Sequence, residues 1–200
     1  MMMRIILFQI ILLLLVSISP SCTQDDYSAK ISTLDSLHNA VDKIEKQIAA
    51  IDEHKAKKNY EEIVGKIKSV IHNFNDSLDY KTGALLSEYK NIRKPFNDFN
   101  QHKQAFLTEL EFSKKQIKNL TSDLKKGLIL QEKVQEYYRS ELKSANEICF
   151  KSELLIDAVS AAFSKFEQIN PEVQEFTQKA LDKYSDGEVK VLTDSSSKGN

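Results

Sequence analysis

Two hundred residues suffice for one domain and a tail, with 41 % hydrophobic residues and charges almost in balance at 28 Lys+Arg against 29 Asp+Glu. Five Gly and three Pro are too few for an all-β domain, which needs a turn signal every 8–12 residues or so, and too few for Gly-rich phosphate loops. A net charge of -1 excludes bulk attraction to nucleic acid as the main business.

The first 22 residues read as an address. Arg4 gives a positive start, and Ile5 to Val16 is an apolar run broken only by Gln9. That run falls short of the roughly 20 residues that span a bilayer, and fits the apolar core of a secretory signal. Ser17-Ile18-Ser19-Pro20-Ser21-Cys22 follows. A small residue before a Cys at this place resembles the lipobox of bacterial lipoproteins, although Ser19 stands where Leu is usual. The resemblance implies cleavage between Ser21 and Cys22 and acylation of Cys22. Several acyl chains anchor a protein stably to a bilayer without a transmembrane helix. Residues 1–21 are thus the expected signal peptide and 22–26 the lipidated tether. Cys149 is then the only other thiol, and its neighbours Ile148 and Phe150 suit a buried small hydrophobe.

From residue 27 the pattern is helical. Tyr27, Leu34, Val41 and Ile48 form one column of a heptad stripe, with Leu37, Ile44 and Ile51 the other. A helix is expected over about 27–53. No large apolar residue occurs in 52–58. Asn59 with Glu62 resembles a capping box. The stripe resumes at Tyr60, Ile63, Ile67, Val70 and Phe74, with Val64, Ile71 and Leu78 beside it. Its phase is shifted from the first stripe, so a turn or a bent helix is expected at 52–59 and a second helix at 60–78.

A turn is expected at 79–83 (Asp79 to Gly83), then a short helix at 84–93 with Leu85, Leu86, Tyr89 and Ile92 inward. Pro95 suits the first turn of the next helix. There Phe96, Lys103, Leu110, Ile117, Leu124, Gln131 and Tyr138 form one column, and Phe99, Phe106, Ser113, Leu120, Gly127 and Val134 the other. The unbroken phase favours one helix over 95–140, while Lys125-Lys126-Gly127 offers a break. A broad apolar face, from Leu142 through Ala158 to Ile169, ends at Asn170-Pro171. A last helix, with Val173, Phe176, Ala180, Leu181 and Tyr184 inward, runs to about 185, where Asp186-Gly187 stops it. The expected domain is a 27–185 helical bundle with a disordered tail at 186–200. The fold class is all-α: an antiparallel helical bundle with long coiled-coil-like helices behind a lipoprotein signal peptide.

Nothing in the sequence points to catalysis or metal binding. His38, His54, His72 and His102 lack a second His at helical spacing, and no nucleophile elbow or Glu-x-x-His motif occurs. No enzyme activity, cofactor or nucleic-acid partner is expected.

The relaxed lipobox, the Lys/Glu/Asn/Ile-rich mature chain and the single helical domain behind a short tether resemble the surface lipoproteins of Borrelia, most of all the factor H-binding lipoproteins of relapsing-fever species. The resemblance implies a surface-exposed, lipid-anchored protein of the outer membrane that captures host complement factor H, with plasminogen a second ligand. It carries over no binding residue. The basic factor H modules that recognise polyanionic surfaces suit acidic loops, so the candidates are Asp52, Glu53 and His54, then Asp79 and Tyr80, with Asp186 and Glu188 in a third connection. An adhesin for matrix or glycosaminoglycan is the first alternative, using Lys55, Lys57 and Lys58 or Lys114, Lys115 and Lys118. A non-catalytic periplasmic envelope lipoprotein is the second.

Overall fold

The computed structural model describes residues 27–73 and 79–196, with side chains described for 27–72 and 79–182. The expected signal peptide and tether, with Ser21 and Cys22, lie outside the described residues. Every described element is a helix: α1 Ser28–Ala50, α2 Glu53–Asn73, α3 Tyr80–Asn91, α4 Arg93–Lys126 and α5 Gln131–Ser196. The chain is an all-α helical bundle.

The five helices make three rods. Lys30 stacks over the Tyr138 ring at 5.8 Å and Lys55 over the Phe163 ring at 5.2 Å, so α1 and α2 climb in the same direction as α5. Lys114 bonds Asp42 and Glu45, while Lys103 reaches Glu53 at 3.0 Å, so α4 runs opposite to α1 and α2. Phe96 packs edge-on against Phe163 with centroids 5.0 Å apart, and Lys165 pairs with Glu88 at 2.6 Å, which makes α3 and α4 antiparallel to α5. The starts of α1 and α5 and the end of α4 therefore gather at one pole. At about 1.5 Å per residue, α1 with α2 spans roughly 70 Å, so the bundle is elongated.

The heptad columns of α1 and α4 are the packed seams. Leu34, Leu37, Val41, Ile44 and Ile48 are buried on α1, as are Phe96, Phe99, Leu110, Ser113, Ile117, Leu120 and Leu124 on α4. Lys103, an odd member of a seam, holds its ammonium 5.6 Å from the centroid of the Phe99 ring and 3.0 Å from Glu53. Leu86 and Tyr89 on α3, and Ile92 just after it, are buried as the pattern requires.

The breaks differ from those read in the sequence. Of the two forms open at 52–59, the structure has the bent rod, and it is shorter: only Ile51 and Asp52 leave the helix. Ile51 adopts an extended conformation (φ -69°, ψ 126°), and Asp52 caps α2 by accepting the Lys55 N–H at 2.9 Å. The chain continues in the same direction, because Ala56, Asn59 and Ile63 face the core inherited from α1. Asn59 is therefore a buried mid-helix residue and not a cap. Ile71 is 74 % exposed, off the stripe. At 79–83 only Asp79 stands outside the helix; it accepts both the N–H and the hydroxyl of Thr82, and α3 begins at Tyr80, not at 84.

The expected continuous helix over 95–140 is broken at Gly127. There φ is +64°, the left-handed region that favours glycine. The Leu128 N–H bonds the Asp123 carbonyl (3.0 Å) and the Gly127 N–H the Leu124 carbonyl (3.2 Å), a Schellman ending. Gln131 then starts α5, which is why a polar residue sits in that column.

The opposite difference occurs at Asn170-Pro171, where an end is expected and α5 continues as helix. Proline costs a helix the N–H bond to the carbonyl four residues back, here Glu167. Both Pro171 and Glu167 are exposed, so the freed carbonyl is not stranded in the core. Phe166, Ile169 and Val173 are buried on both sides and hold the helix in line. The helix also continues past Asp186-Gly187 to Ser196, since each added residue of an established helix gains a bond. Ala158 and Leu181, expected inward, are exposed.

Gly127→Ala is expected to destabilise the fold by about 1–2 kcal/mol, the cost of a left-handed residue with a Cβ. No neighbour lies within 4 Å of the position a Cβ would take, so the cost is backbone alone. Thermal melting by circular dichroism checks this: for a chain of this size the midpoint should fall by roughly 2–8 °C.

Candidate functional site: the outward face of the long helix

The connection residues singled out by sequence are largely parts of helix ends. Asp52 is the α2 cap, and Glu53 lies in its first turn paired with Lys103. His54 is exposed in the same turn. Asp79 is the α3 cap, and the two Thr82 bonds hold its carboxyl below the ordinary range. Tyr80 is 93 % exposed. Both junctions lie along the same stretch of α5, since Lys55 pairs with Glu167 at 2.8 Å and Lys81 with Glu172 at 3.7 Å. They belong to different rods, however. The backbone at Asp186 and Glu188 is helical, and their side chains lie outside the described residues.

The basic clusters are partly neutralised. Lys55 is paired with Glu167, and Lys114 with Asp42 and Glu45. The two carboxylates hold the Lys114 ammonium above its ordinary pKa, Glu45 first, against the opposing effect of burial. Lys118 lines a groove of about 440 Å³ between α1 and α4 with Asp35, His38, Thr121 and Lys125.

Beneath these junctions, a polar cluster ties α2, α3 and α5 together. The Asn170 amide donates to Glu62 (2.9 Å), and its carbonyl accepts from the Tyr89 hydroxyl (2.6 Å) and from Lys66 (2.8 Å). Burial pushes the Glu62 carboxyl up, but bonds from Lys66 and Asn170 outweigh it and hold the group below its ordinary value. Burial, aided by the Glu62 charge, pushes the Tyr89 hydroxyl well above its usual range, so it stays a donor. Every member has a partner, and the cluster acts as a clasp.

The surface that stands apart is on α5. Phe150 and Leu154 are 61 % and 54 % exposed. One helical turn separates them, and Ala158 and Ala161 continue the same outward face. The inward face of that stretch holds Ala145, Ile148, Ser152, Leu155, Val159 and Ala162, all buried against the other rods. Phe150 and Leu154 thus project away from the bundle. Lys143, Glu147, Lys151, Glu153 and Asp157 surround them, an apolar centre with a charged rim of the kind protein interfaces use.

Sequence reasoning missed this face because the core stripe of α5 dominates the pattern. The available signal was an apolar pair four residues apart on the side opposite the seam. Cys149 is buried beneath, and burial with the nearby Glu153 charge raises its thiol, which makes it unreactive packing. Between α4 and α5, Phe112 is 63 % exposed and lines a second groove of about 500 Å³ with Glu109, Gln116, Glu141 and Ile148. Burial in that groove raises the Glu141 carboxyl.

Among the described residues no group of three His, Cys, Asp or Glu is placed to hold a metal, and no helix is long and apolar enough to cross a membrane. No protein family, no characterised protein and no solved structure matches the chain.

Two of the connection residues, Asp52 and Tyr80, should separate in a stability measurement. Asp52→Ala is expected to cost about 1 kcal/mol through the lost α2 cap. Tyr80→Ala, which removes an exposed ring, should stay within about 0.5 kcal/mol. Urea unfolding followed by circular dichroism distinguishes them; equal effects would contradict the capping role of Asp52.

Proposed function

We propose that the protein is a lipid-anchored, non-catalytic binding module on the surface of a bacterial outer membrane, and that it captures host complement factor H, with plasminogen a second ligand. The acyl chains on Cys22 hold one pole of the bundle at the bilayer. The outward face of α5 meets the partner.

The single observation that carries this reading is the exposure of Phe150 and Leu154 on a helix whose opposite face is fully engaged. An exposed aromatic beside an aliphatic residue is the usual anchor of a protein interface, where a few such groups supply most of the affinity. Around them three carboxylates (Glu147, Glu153, Asp157) oppose two lysines (Lys143, Lys151). That slight acidity suits a basic partner and favours its encounter. The seams cannot do this work, because they close the bundle. A glycosaminoglycan adhesin is the weaker reading, since Lys55 and Lys114 are committed to carboxylates.

Surface plasmon resonance over immobilised factor H tests the proposal with the full-length protein in detergent. The unmutated chain should bind, and Phe150→Glu with Leu154→Glu should weaken binding by at least about tenfold, a modest interface hot spot. The melting temperature should stay near that of the parent. No binding by a folded parent chain overturns the factor H reading. Equal binding by parent and variant moves the contact off α5. Protease treatment of intact cells separates surface display from the periplasmic alternative.

A further inference from the structure

The connection between α4 and α5 has an unusual tip. Gly127 turns the chain, and Leu128-Ile129-Leu130 alternates outward, inward, outward. Ile129 packs on the core, while Leu128 and Leu130 are each 68 % exposed. In a Schellman ending, the residue at the position of Leu128 commonly packs back on its helix. Here it faces solvent instead. The tip is held rigidly, since the Leu128 N–H bonds Asp123 at 3.0 Å and the Leu130 carbonyl accepts the Lys133 N–H at 2.8 Å.

The tip carries a small excess of positive charge. From 125 to 136 the chain holds Lys125, Lys126 and Lys133 against Glu132 and Glu136, a net of +1 from three lysines and two glutamates. Lys133 is paired with Glu136, while Lys125 and Lys126 are exposed beside the leucines.

The position decides what covers this tip. Lys30 lies over Tyr138, so the start of α1 is level with the second turn of α5 and the tip extends roughly 10 Å beyond it. Only six residue steps separate Cys22 from Ser28, a reach of about 20 Å even when fully extended. An anchor at Cys22 therefore keeps this pole within about 20 Å of the bilayer, and the tip, as its outermost part, within reach of it.

We propose that Leu128 and Leu130 dock into the headgroup–acyl boundary of the protein's own membrane, with Lys125 and Lys126 on anionic lipid phosphates. This inference rests on the anchor part of the proposed function and adds a second, protein-borne contact. Exposed apolar groups next to lysines are the combination that binds anionic bilayers peripherally. The contact restrains tilting of the bundle about its tether.

The chain contains no Trp, so Leu128→Trp provides a single reporter. The full-length lipidated variant is reconstituted into vesicles of phosphatidylcholine and phosphatidylglycerol and floated. Flotation of the parent and its loss in Cys22→Ala establish the anchor. In the floated protein, Trp at 128 should emit at shorter wavelength than in the unanchored Cys22→Ala chain. Lipids brominated in the acyl chain should quench it. Tyr80→Trp, at the opposite pole, should show neither effect. Lys125→Glu with Lys126→Glu should reduce the quenching at 128. Flotation with an unquenched Trp at 128 overturns the docking and leaves the anchor standing. A blue shift that follows protein density without quenching assigns the tip to a second copy and also overturns it. A parent chain that does not float overturns the anchor reading and this proposal with it.

Discussion

The continuity of α5 is the constraint on which the rest of the molecule depends. One helix runs from Gln131 through Pro171, and both other rods are laid against it. Each of those rods is broken, at Ile51-Asp52 and at Ile92, and each break is tolerated because α5 bridges it. Lys55 and Lys165 tie the two rods to it near the breaks, through Glu167 and Glu88. The Phe96 ring, four residues after the second break, packs between Phe163 and Phe166. Asn170, next to the proline, joins α2 and α3 through Glu62, Lys66 and Tyr89. The residue preceding the expected helix terminus is thus a junction of all three rods.

Seven-residue periodicity made the seams of α1 and α4 legible, since a helix in a long bundle must repeat its buried positions. Helix ends were less so. The phase shift after Ile51 announced a discontinuity but not its direction, because a bent rod and a reversal interrupt the pattern alike. At Gly127 the apolar phase of α5 happens to continue that of α4, and the turn chemistry of Lys125-Lys126-Gly127 outweighed it. At Pro171 the rule that proline ends helices yielded to burial of Phe166, Ile169 and Val173. The local signal won at Gly127, and packing won at Pro171.

The candidate site was less legible still. Acidic residues between apolar stripes read as loop contacts, yet Asp52 and Asp79 spend their carboxylates on helix N–H groups. Phe150 and Leu154 looked unremarkable beside a seam rich in apolar residues. Their exposure follows from the three-rod arrangement, which covers one side of α5 and leaves the other to solvent. At about 1.5 Å per residue, Phe150 lies roughly 30 Å along α5 from Gln131. A straight, rigid α5 would therefore hold the proposed capture face clear of an anchored pole, without a flexible stalk.

That account stands on α5 being one straight helix through Pro171, and a spin-label distance tests it directly. Labels at Glu132→Cys and Glu175→Cys, in a chain with Cys22 and the buried Cys149 both replaced by Ala, lie 43 residues apart on exposed positions. A continuous helix sets their backbone separation at about 65 Å, with a narrow distribution by double electron–electron resonance. A distance shorter by more than about 10 Å, the span of some seven helical residues, or a broad distribution, would mean that the helix ends at Asn170 as its proline suggests, and would contradict the structure's central feature.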